Sequence, residues 1–272
     1  MKIYISALSI FLLCTNIYTV ASAQQLILNK GDEYKITTML SSSMAMKRGD
    51  KQIDLTSMSS VTKSYQVTEA SDNSYKLSIT MNHIADTVNA FNQKLAYSSN
   101  RAADPNSAIE TALSKMIGET HTVSLDKTGK ITQVADAAKA TANIQVAAIS
   151  GLYNKALTVG NTLNFGAGFK LPTGAKKGTT WTETQTKGEA ITNTTFTVEA
   201  STTTATSISF KSESRQPGIN TNLNGLLVMD NTTGVILQRV VKTNSLSNEI
   251  VGDKTYAASR KSIISEICYK VK

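Results

Sequence analysis

The sequence has 272 residues and a formal net charge of +8, but its basic residues lie singly or in pairs such as Lys47–Arg48 and Lys176–Lys177. A protein that binds nucleic acid needs basic residues clustered in a stripe, so this pattern excludes that class. The cysteines are Cys14 and Cys268, and we expect the first to be removed with an N-terminal segment. Cys268 alone cannot form an internal disulfide, so the core must stabilise the fold.

Residues 1–23 have the order of a cleavable signal peptide. Lys2 precedes an apolar run over residues 3–13, and Ala21-Ser22-Ala23 supplies the small side chains that signal peptidase requires. We therefore predict cleavage after Ala23, so that the mature chain begins at Gln24. The protein is then exported to the periplasm or beyond the cell.

Other interpretations of this segment are an uncleaved N-terminal core helix or membrane anchor, and a lipoprotein processed at Cys14. Leu13 disfavours the second, because lipoprotein processing needs a small residue before the cysteine. After residue 23 no apolar run is long enough to cross a bilayer as a helix, so no transmembrane segment is predicted in the mature chain.

Alternation of apolar and polar residues indicates β-strands along the mature chain. In the clearest case, Tyr75, Leu77, Ile79 and Met81 alternate with polar residues. This pattern is typical of an antiparallel sheet that has one face in water.

The same alternation near the C terminus predicts a strand with two unlike faces. One face carries Cys268 together with Glu266 and Lys270. We expect Cys268 to be an inert thiol, with an intermolecular disulfide as the alternative. The other face consists of Ile263, Ile267, Tyr269 and Val271.

Two segments have helical periodicity instead. Asp104 and Pro105 are typical of an N-cap and a first helical residue, and apolar residues follow at helical spacing up to Gly118. This predicts a helix near 104–117. A second apolar stripe predicts a helix of about six turns near 134–157.

We expect one β-rich domain over residues 24–272. The helices form an insertion at about 104–157, and a Gly-rich loop follows at 158–178. The loop is partly apolar, so we expect it to fold onto the sheet or the helices.

The chain contains a weak internal repeat of strand starts and turns. Three pairs of similar motifs occur in the same order in the two halves, and their Asp and Gly residues are typical of hairpin turns. The pairs are Gly31–Tyr34 with Gly178–Trp181, Tyr65–Ser71 with Phe196–Ser201, and Leu125–Ile131 with Met229–Val235.

These motifs resemble an uncharacterised family of exported bacterial proteins, known only as a domain of unknown function. The resemblance covers nearly the whole mature chain and implies an organisation but no activity. A broader likeness is to the periplasmic lipoprotein carriers of the LolA and LppX type, in which a curved antiparallel sheet wraps helices around an apolar cavity. The family motifs are Leu28–Tyr34, Tyr65–Val67, Tyr75–Leu77, Ile117–Gly118, Leu125–Lys130, Gly178–Trp181 and Asp230–Gly234.

Together, these features predict an α+β fold. Its sheet is mainly antiparallel, strongly curved and half-barrel-like, with two pseudo-repeated halves. The sheet packs on the helices near 104–117 and 134–157.

The sequence contains no strong catalytic or metal-binding motif. His83 and His121 are the only histidines, and no third ligand stands at the spacing of a metal site. A hydrolase that uses one of them with a nearby acid is a minor alternative. Met44 and Met46 suit Cu(I), but methionine is also ordinary filler on an apolar face. We therefore expect no enzyme activity, metal or cofactor.

We expect a non-catalytic exported protein that binds an apolar ligand such as a lipid, or that acts as an envelope accessory factor. The candidate binding surface is the apolar sheet face that contains Tyr75, Leu77, Ile79, Met81 and His83. The main alternative is a structural or interaction domain whose own residues fill the interior.

Overall fold

One antiparallel sheet organises the part of the chain that the computed structural model describes, which comprises residues 25–90, 93–135, 157–163, 165–166, 169–187, 189–251 and 254–272. These residues form twelve strands and one helix, α1 (Ala108–Lys115). The strands are β1 (Glu33–Arg48), β2 (Lys51–Ala70), β3 (Ser74–Ala90), β4 (Gln93–Ser98), β5 (Thr120–Asp126), β6 (Ile131–Val134), β7 (Thr180–Lys187), β8 (Ala190–Ser201), β9 (Ala205–Gln216), β10 (Ile219–Asp230), β11 (Ile236–Val251) and β12 (Lys254–Lys270).

The first and last strands lie side by side in the middle of the sheet. The strand order is β6-β5-β3-β2-β1-β12-β11-β10-β9-β8-β7, and β4 pairs with the edge of β3 beyond β5. Side chains alternate between the two faces of the sheet. We call the face that carries Tyr34, Tyr65 and Tyr75 the inner face. The closed end is the end of the sheet at which β1 starts and β12 finishes.

The paired motifs of the two halves adopt the same local structures. Before β1, the N–H of Gly31 donates to the carbonyl of Val67, and before β7, the N–H of Gly178 donates to the carbonyl of Val198, each at 2.8 Å. A register shift follows both valines. In the turns after β5 and β10, an aspartate accepts the N–H two residues ahead, also at 2.8 Å.

The sheet is curled, so that strands far apart in its order meet at the closed end. The N–H of Leu26 donates to Lys127 in the β5–β6 turn at 2.7 Å, and the N–H of Ile27 donates to Thr233 in the β10–β11 turn at 2.8 Å. Because consecutive backbone nitrogens are less than about 4 Å apart, the two acceptor oxygens lie within about 10 Å of each other. In a flat sheet β5 and β11, five steps apart, would be separated by about 24 Å. The sheet therefore bends around its inner face here.

Two loop segments fill this curl. We call Leu26, Leu28, Leu163 and Phe165 the plug, because all four side chains are buried against the inner face. The ring of Phe165 is fully buried and packs edge-on against Tyr34, with the ring centroids 4.8 Å apart. The chain itself thus supplies the core of the closed end.

The segment after the plug covers the second half of the sheet in the same way. The ring of Phe169 packs on Phe196 at 4.9 Å and on Trp181 at 5.9 Å between centroids. This cluster includes the fully buried Ile208 and Met229. A single connection between the two halves therefore packs on both of them.

The predicted α+β fold with two helices is wrong, because the described residues form an almost entirely antiparallel sheet with one short helix. Among the described residues, loop segments supply apolar side chains that cover the closed end. Over the described ranges, no helix is long and apolar enough to cross a membrane.

Helix α1 is shorter than the helix predicted near 104–117. Its N-cap is Ser107, whose Oγ accepts the N–H of Glu110 at 3.2 Å. Asp104 lies in a preceding turn, where its carbonyl accepts the N–H of Ser107 at 3.0 Å. The buried Leu113 packs α1 against β3 and β4.

The helix predicted near 134–157 falls mostly on residues 136–156, which lie outside the described residues. At its predicted start, Val134 is the last residue of β6 and pairs with Val123 of β5.

Truncation of the plug should destabilise the fold strongly. We expect Phe165→Ala to lower the free energy of unfolding by about 3–5 kcal/mol, because it leaves a cavity at a fully buried position. The control Ile27→Ala, in the same end region but 56% exposed, should change it by less than about 0.5 kcal/mol. Urea unfolding measures both, and equal effects would contradict the role of the plug.

Candidate functional site

Beyond the closed end, the inner face continues as two rows of side chains that cross the sheet. The apolar row contains the half-buried Leu40, Ile264 and Val241, side by side on β1, β12 and β11. It continues at Gly225, where the ring of Phe210 occupies the space that a side chain would need. The next row, the hydroxyl row, consists mainly of small polar residues. They are Ser42, Ser57, Thr194, Ser212, Thr243 and Ser262.

Three charged side chains face inward between the plug and the apolar row. We call Lys63, Arg239 and Glu266 the charged triplet. The carboxylate of Glu266, a residue only 6% exposed, accepts from Arg239 Nε at 2.6 Å and from Nη2 at 2.5 Å. The hydroxyl of Thr38 donates to its other oxygen at 3.3 Å. Such charge-assisted bonds are strong, so Arg239 holds Glu266 in place.

Lys63 lies half-buried between Ile36 of β1 and Met81 of β3. Loss of water around the ammonium lowers the pKa of Lys63 to about 8, and the negative charge of Glu266 offsets this only in part. Within the described residues, no side chain forms a hydrogen bond or close ion pair with the Lys63 ammonium. The inner face therefore carries a partly dehydrated cation whose charge is incompletely matched.

Two other groups beside the triplet stay in their neutral forms. Burial raises the pKa of the Cys268 thiol to about 12, and the charge of Glu266 adds to this effect. Burial also raises the pKa of Tyr65 above its usual range. The Cys268 thiol is therefore protonated near pH 7 and a poor nucleophile.

The first three predicted binding residues lie in the filled core of the closed end. Tyr75, Leu77 and Ile79 are each at most 3% exposed. The hydroxyl of Tyr75 donates to the carbonyl of Leu26 at 2.6 Å and accepts from the Lys127 ammonium at 2.7 Å. These residues hold the plug on the sheet, and their contact with a ligand stays a prediction.

A register shift separates the other two predicted residues. It lies between Thr62 and Lys63 of β2 and leaves an extra residue in β3. Met81 before the shift and Ile84 after it both lie in the inner core. His83 pairs with Thr62 and so leaves the apolar face, whereas Met81 stays beside Lys63.

The two histidines do not form a common site. His83 Nδ1 lies 2.8 Å from Ser99 Oγ on one side of β3. His121 of β5 pairs with Ile79 of β3, and the His121 Nε2 lies 4.0 Å from Glu119 Oε2, beyond hydrogen-bond reach. Among the residues that the structure describes, no group of three or more His, Cys, Asp or Glu side chains could hold a metal ion.

In β12 the structure buries the less apolar of the two predicted faces. Ile263, Ile267 and Tyr269 point to the outer face and are 45% to 50% exposed. Glu266 and Cys268 point to the core. The face that looks apolar in the sequence is therefore in contact with solvent.

The sequence interpretation missed the charged triplet because its members belong to no motif. The available signal was a charge at an inward position of a strand. Lys63 stands between Val61 and Tyr65, both of which point inward and are buried. Arg239 alternates in the same way with inward residues of β11.

Comparison with known proteins supports the fold and gives no activity. The model of a family of unknown function, DUF6263, matches residues 72–158. The predicted resemblance to an uncharacterised domain family is thereby confirmed. No sequence among the curated proteins matches the chain.

Among solved structures, one similar to this chain is titled for lipid–protein interactions in lipovitellin. The two are 9% identical with a TM-score of 0.51, and the match covers 89% of this chain and 25% of that chain. The chain thus spans about a quarter of the length of this structure, and the likeness concerns the fold alone. Another match is the COG4313 outer membrane channel from Pseudomonas putida F1, at 9% identity, a TM-score of 0.28, and coverage of 92% of this chain and 100% of that one.

Removal of the Lys63 charge should stabilise the protein near neutral pH. Because the folded-state pKa is about 8 and the unfolded value is 10.5, protonation opposes folding fully below pH 8 and not at all above about pH 10.5. We expect Lys63→Met to raise the free energy of unfolding by roughly 1–2 kcal/mol at pH 7, a value reduced for partial exposure. The gain should decline as the pH rises from 8 to 10.5.

Urea unfolding of both proteins across this pH range measures the effect. The control is Lys211→Met, because Lys211 is exposed on the outer face, and we expect a change below about 0.5 kcal/mol. A loss of stability in Lys63→Met at pH 7 would contradict the dehydration of this ammonium.

Proposed function

We propose that this protein is exported and binds an apolar ligand, without catalysis, on the part of the inner face that lies beyond the plug. The observation that carries the proposal is the apolar row. Leu40, Ile264 and Val241 form a continuous apolar strip on the concave side of a curled sheet and are only half-buried. Concave apolar surfaces with a few polar groups are the usual form of small-molecule sites.

Most of the side chains next to this strip are small, which supports the proposal. The hydroxyl row places serine or threonine on six strands of the sheet and is interrupted by Leu223 of β10. In the described parts of the chain, the segments that pack on the inner face are the plug, the segment around Phe169, and α1 with its flanks. They cover the closed end and the region of β3 and β4, not the apolar row.

A lipid is the ligand class we propose. Lipovitellin, whose structure is titled for its lipid–protein interactions, has a similar fold over most of this chain. That likeness suggests a class of ligand and specifies no contact. The hydroxyl row lies beside the apolar row, and this arrangement suits a molecule that has both apolar and polar parts.

Two adjacent isoleucines in β12 provide a matched test. Ile264 faces inward in the apolar row, whereas Ile263 faces outward and is 47% exposed. We expect Ile264→Gln to weaken binding of a neutral lipid, such as oleyl alcohol, by about tenfold, because it places an unpaired amide against the hydrocarbon. Ile263→Gln should bind as the wild type does.

Fluorescence displacement of a bound apolar dye measures the affinity, and thermal unfolding checks that both variants fold. Equal affinities in the two variants would place any binding elsewhere. No saturable binding of dye or alcohol by the wild type would overturn the proposed function.

A second candidate is an envelope accessory domain that binds another protein through the outer face. The outer face exposes Met39, Met58, Ile263 and Ile267 on the adjacent central strands β1, β2 and β12. Photo-crosslinking in the native envelope distinguishes the two candidates. A probe at position 264 should capture lipid, whereas capture of a protein partner from position 263 would favour the accessory role.

Export is also part of the proposal, and it has its own test. The chain expressed in a Gram-negative host should appear in the periplasm or medium with an N terminus at Gln24, as measured by intact mass. Ala23→Leu should leave the precursor uncleaved, because a large side chain does not fit the peptidase pocket. A mature wild-type mass that includes residues 1–23 would contradict cleavage after Ala23.

A further inference from the structure

We propose that the bound ligand is an anionic amphiphile, a long-chain carboxylate, whose head group pairs with Lys63 while its hydrocarbon chain lies along the apolar row. This inference rests on the proposed function and specifies its ligand. The charged triplet contains two cations and one carboxylate, and it lies between the plug and the apolar row.

The triplet carries one more positive than negative charge when Lys63 is protonated. Arg239 already donates twice to Glu266, and Thr38 donates once more. One carboxylate therefore faces two cations. A partly buried cation without a matching anion is unfavourable, so the site is suited to bind one further negative charge.

Another inward carboxyl group on a neighbouring strand is already engaged. Asp86 of β3 accepts a hydrogen bond from Ser59 Oγ at 2.6 Å, and burial raises its pKa. No positive charge is among the causes that shift the pKa of Asp86. Asp86 is therefore not the counter-ion of Lys63, and the extra positive charge remains available to a ligand.

The position of Lys63 also suits the head group of a long-chain carboxylate whose hydrocarbon chain extends to the apolar row. Lys63 stands next to the plug and pairs with Ile36 of β1. The next inward residues along β1 are Thr38 and Leu40, both half-buried, and Leu40 belongs to the apolar row. At about 3.3 Å per residue, the row begins about 13 Å from Lys63, and a chain of 16–18 carbons, about 20 Å long, reaches past it.

The charge count also decides between head-group classes. A carboxylate brings a single negative charge, which would neutralise the triplet. A zwitterionic head group would bring an additional cation beside Lys63 and Arg239, and an alcohol would leave the net charge in place. A compact ammonium on a flexible stem can follow the head group into this space, whereas Arg239 is fixed by Glu266.

The test compares oleate with oleyl alcohol at pH 7, below the folded-state pKa of Lys63. The ligands share a hydrocarbon chain and differ in head-group charge. We expect the wild-type protein to bind oleate at least tenfold more tightly than oleyl alcohol, as measured by displacement of an apolar dye. Lys63→Met should remove this preference and leave oleyl alcohol binding within about twofold of the wild type.

Two further variants make the result specific. Lys63→Arg, which keeps the positive charge, should retain most of the preference for oleate. Lys211→Met, which removes an exposed charge from the outer face, should behave as the wild type and so controls for net charge. Thermal unfolding of each variant shows that it is folded.

The outcomes separate this inference from the proposed function. If oleate and oleyl alcohol bind equally well and Lys63→Met changes neither, the protein binds apolar ligands but the inference about the head group is wrong. If a preference for oleate survives in Lys63→Met, the anion lies elsewhere and the inference is also wrong. If neither ligand binds, the proposed function fails as well.

Discussion

The pairing of β1 with β12 is the interaction on which the rest of the structure depends. Residues 34–47 pair with residues 257–270 in one continuous antiparallel register, so the first and last strands of the described chain become neighbours. This ladder joins the two halves of the sheet, β1–β6 and β7–β12, through backbone hydrogen bonds. It also makes one sheet of all twelve strands, whose edges are β6 and β7.

Because the sheet is continuous, bending it brings distant strands together over one face. Consecutive residues, Leu26 and Ile27, then bind turns that belong to opposite halves. The Tyr75 hydroxyl contacts both the Leu26 carbonyl and the Lys127 ammonium, and so links β3 to the segment before β1 and to the β5–β6 turn. The closed end is thus held by a few hydrogen bonds around a well-packed core, and its strength comes mainly from the apolar side chains that the plug buries.

The same ladder determines the electrostatics of the inner face. Lys63 and Glu266 come from strands on either side of β1, and Arg239 comes from the strand beyond β12. A pair such as Arg239 and Glu266 satisfies its own charges, but an extra ammonium in the same dehydrated region does not help the fold. Groups that oppose stability in this way are more easily explained by binding than by packing, since natural proteins tolerate such sites where they serve a function.

Much of the local structure could be predicted from the sequence, because it depends on neighbouring residues. The alternation through Tyr75 and Met81 indicated a strand, and the Asp-to-Gly turns after β5 and β10 form hydrogen bonds of the kind their side chains favour. The sequence also predicts the helix at α1, but it predicts a start that is too early, because Asp104 and Ser107 are both good caps and only the fold selects between them.

The sequence by itself determined where the chain forms strands and turns, and that each strand has two unlike faces. Only the tertiary structure decided which face is buried, because that depends on the direction in which the sheet curls. It therefore buried Glu266 and Cys268 while exposing Ile263 and Ile267. It also brought together the charged triplet, whose members lie up to 203 residues apart between Lys63 and Glu266. Such long-range juxtaposition depends on strand order and register, which no local pattern specifies.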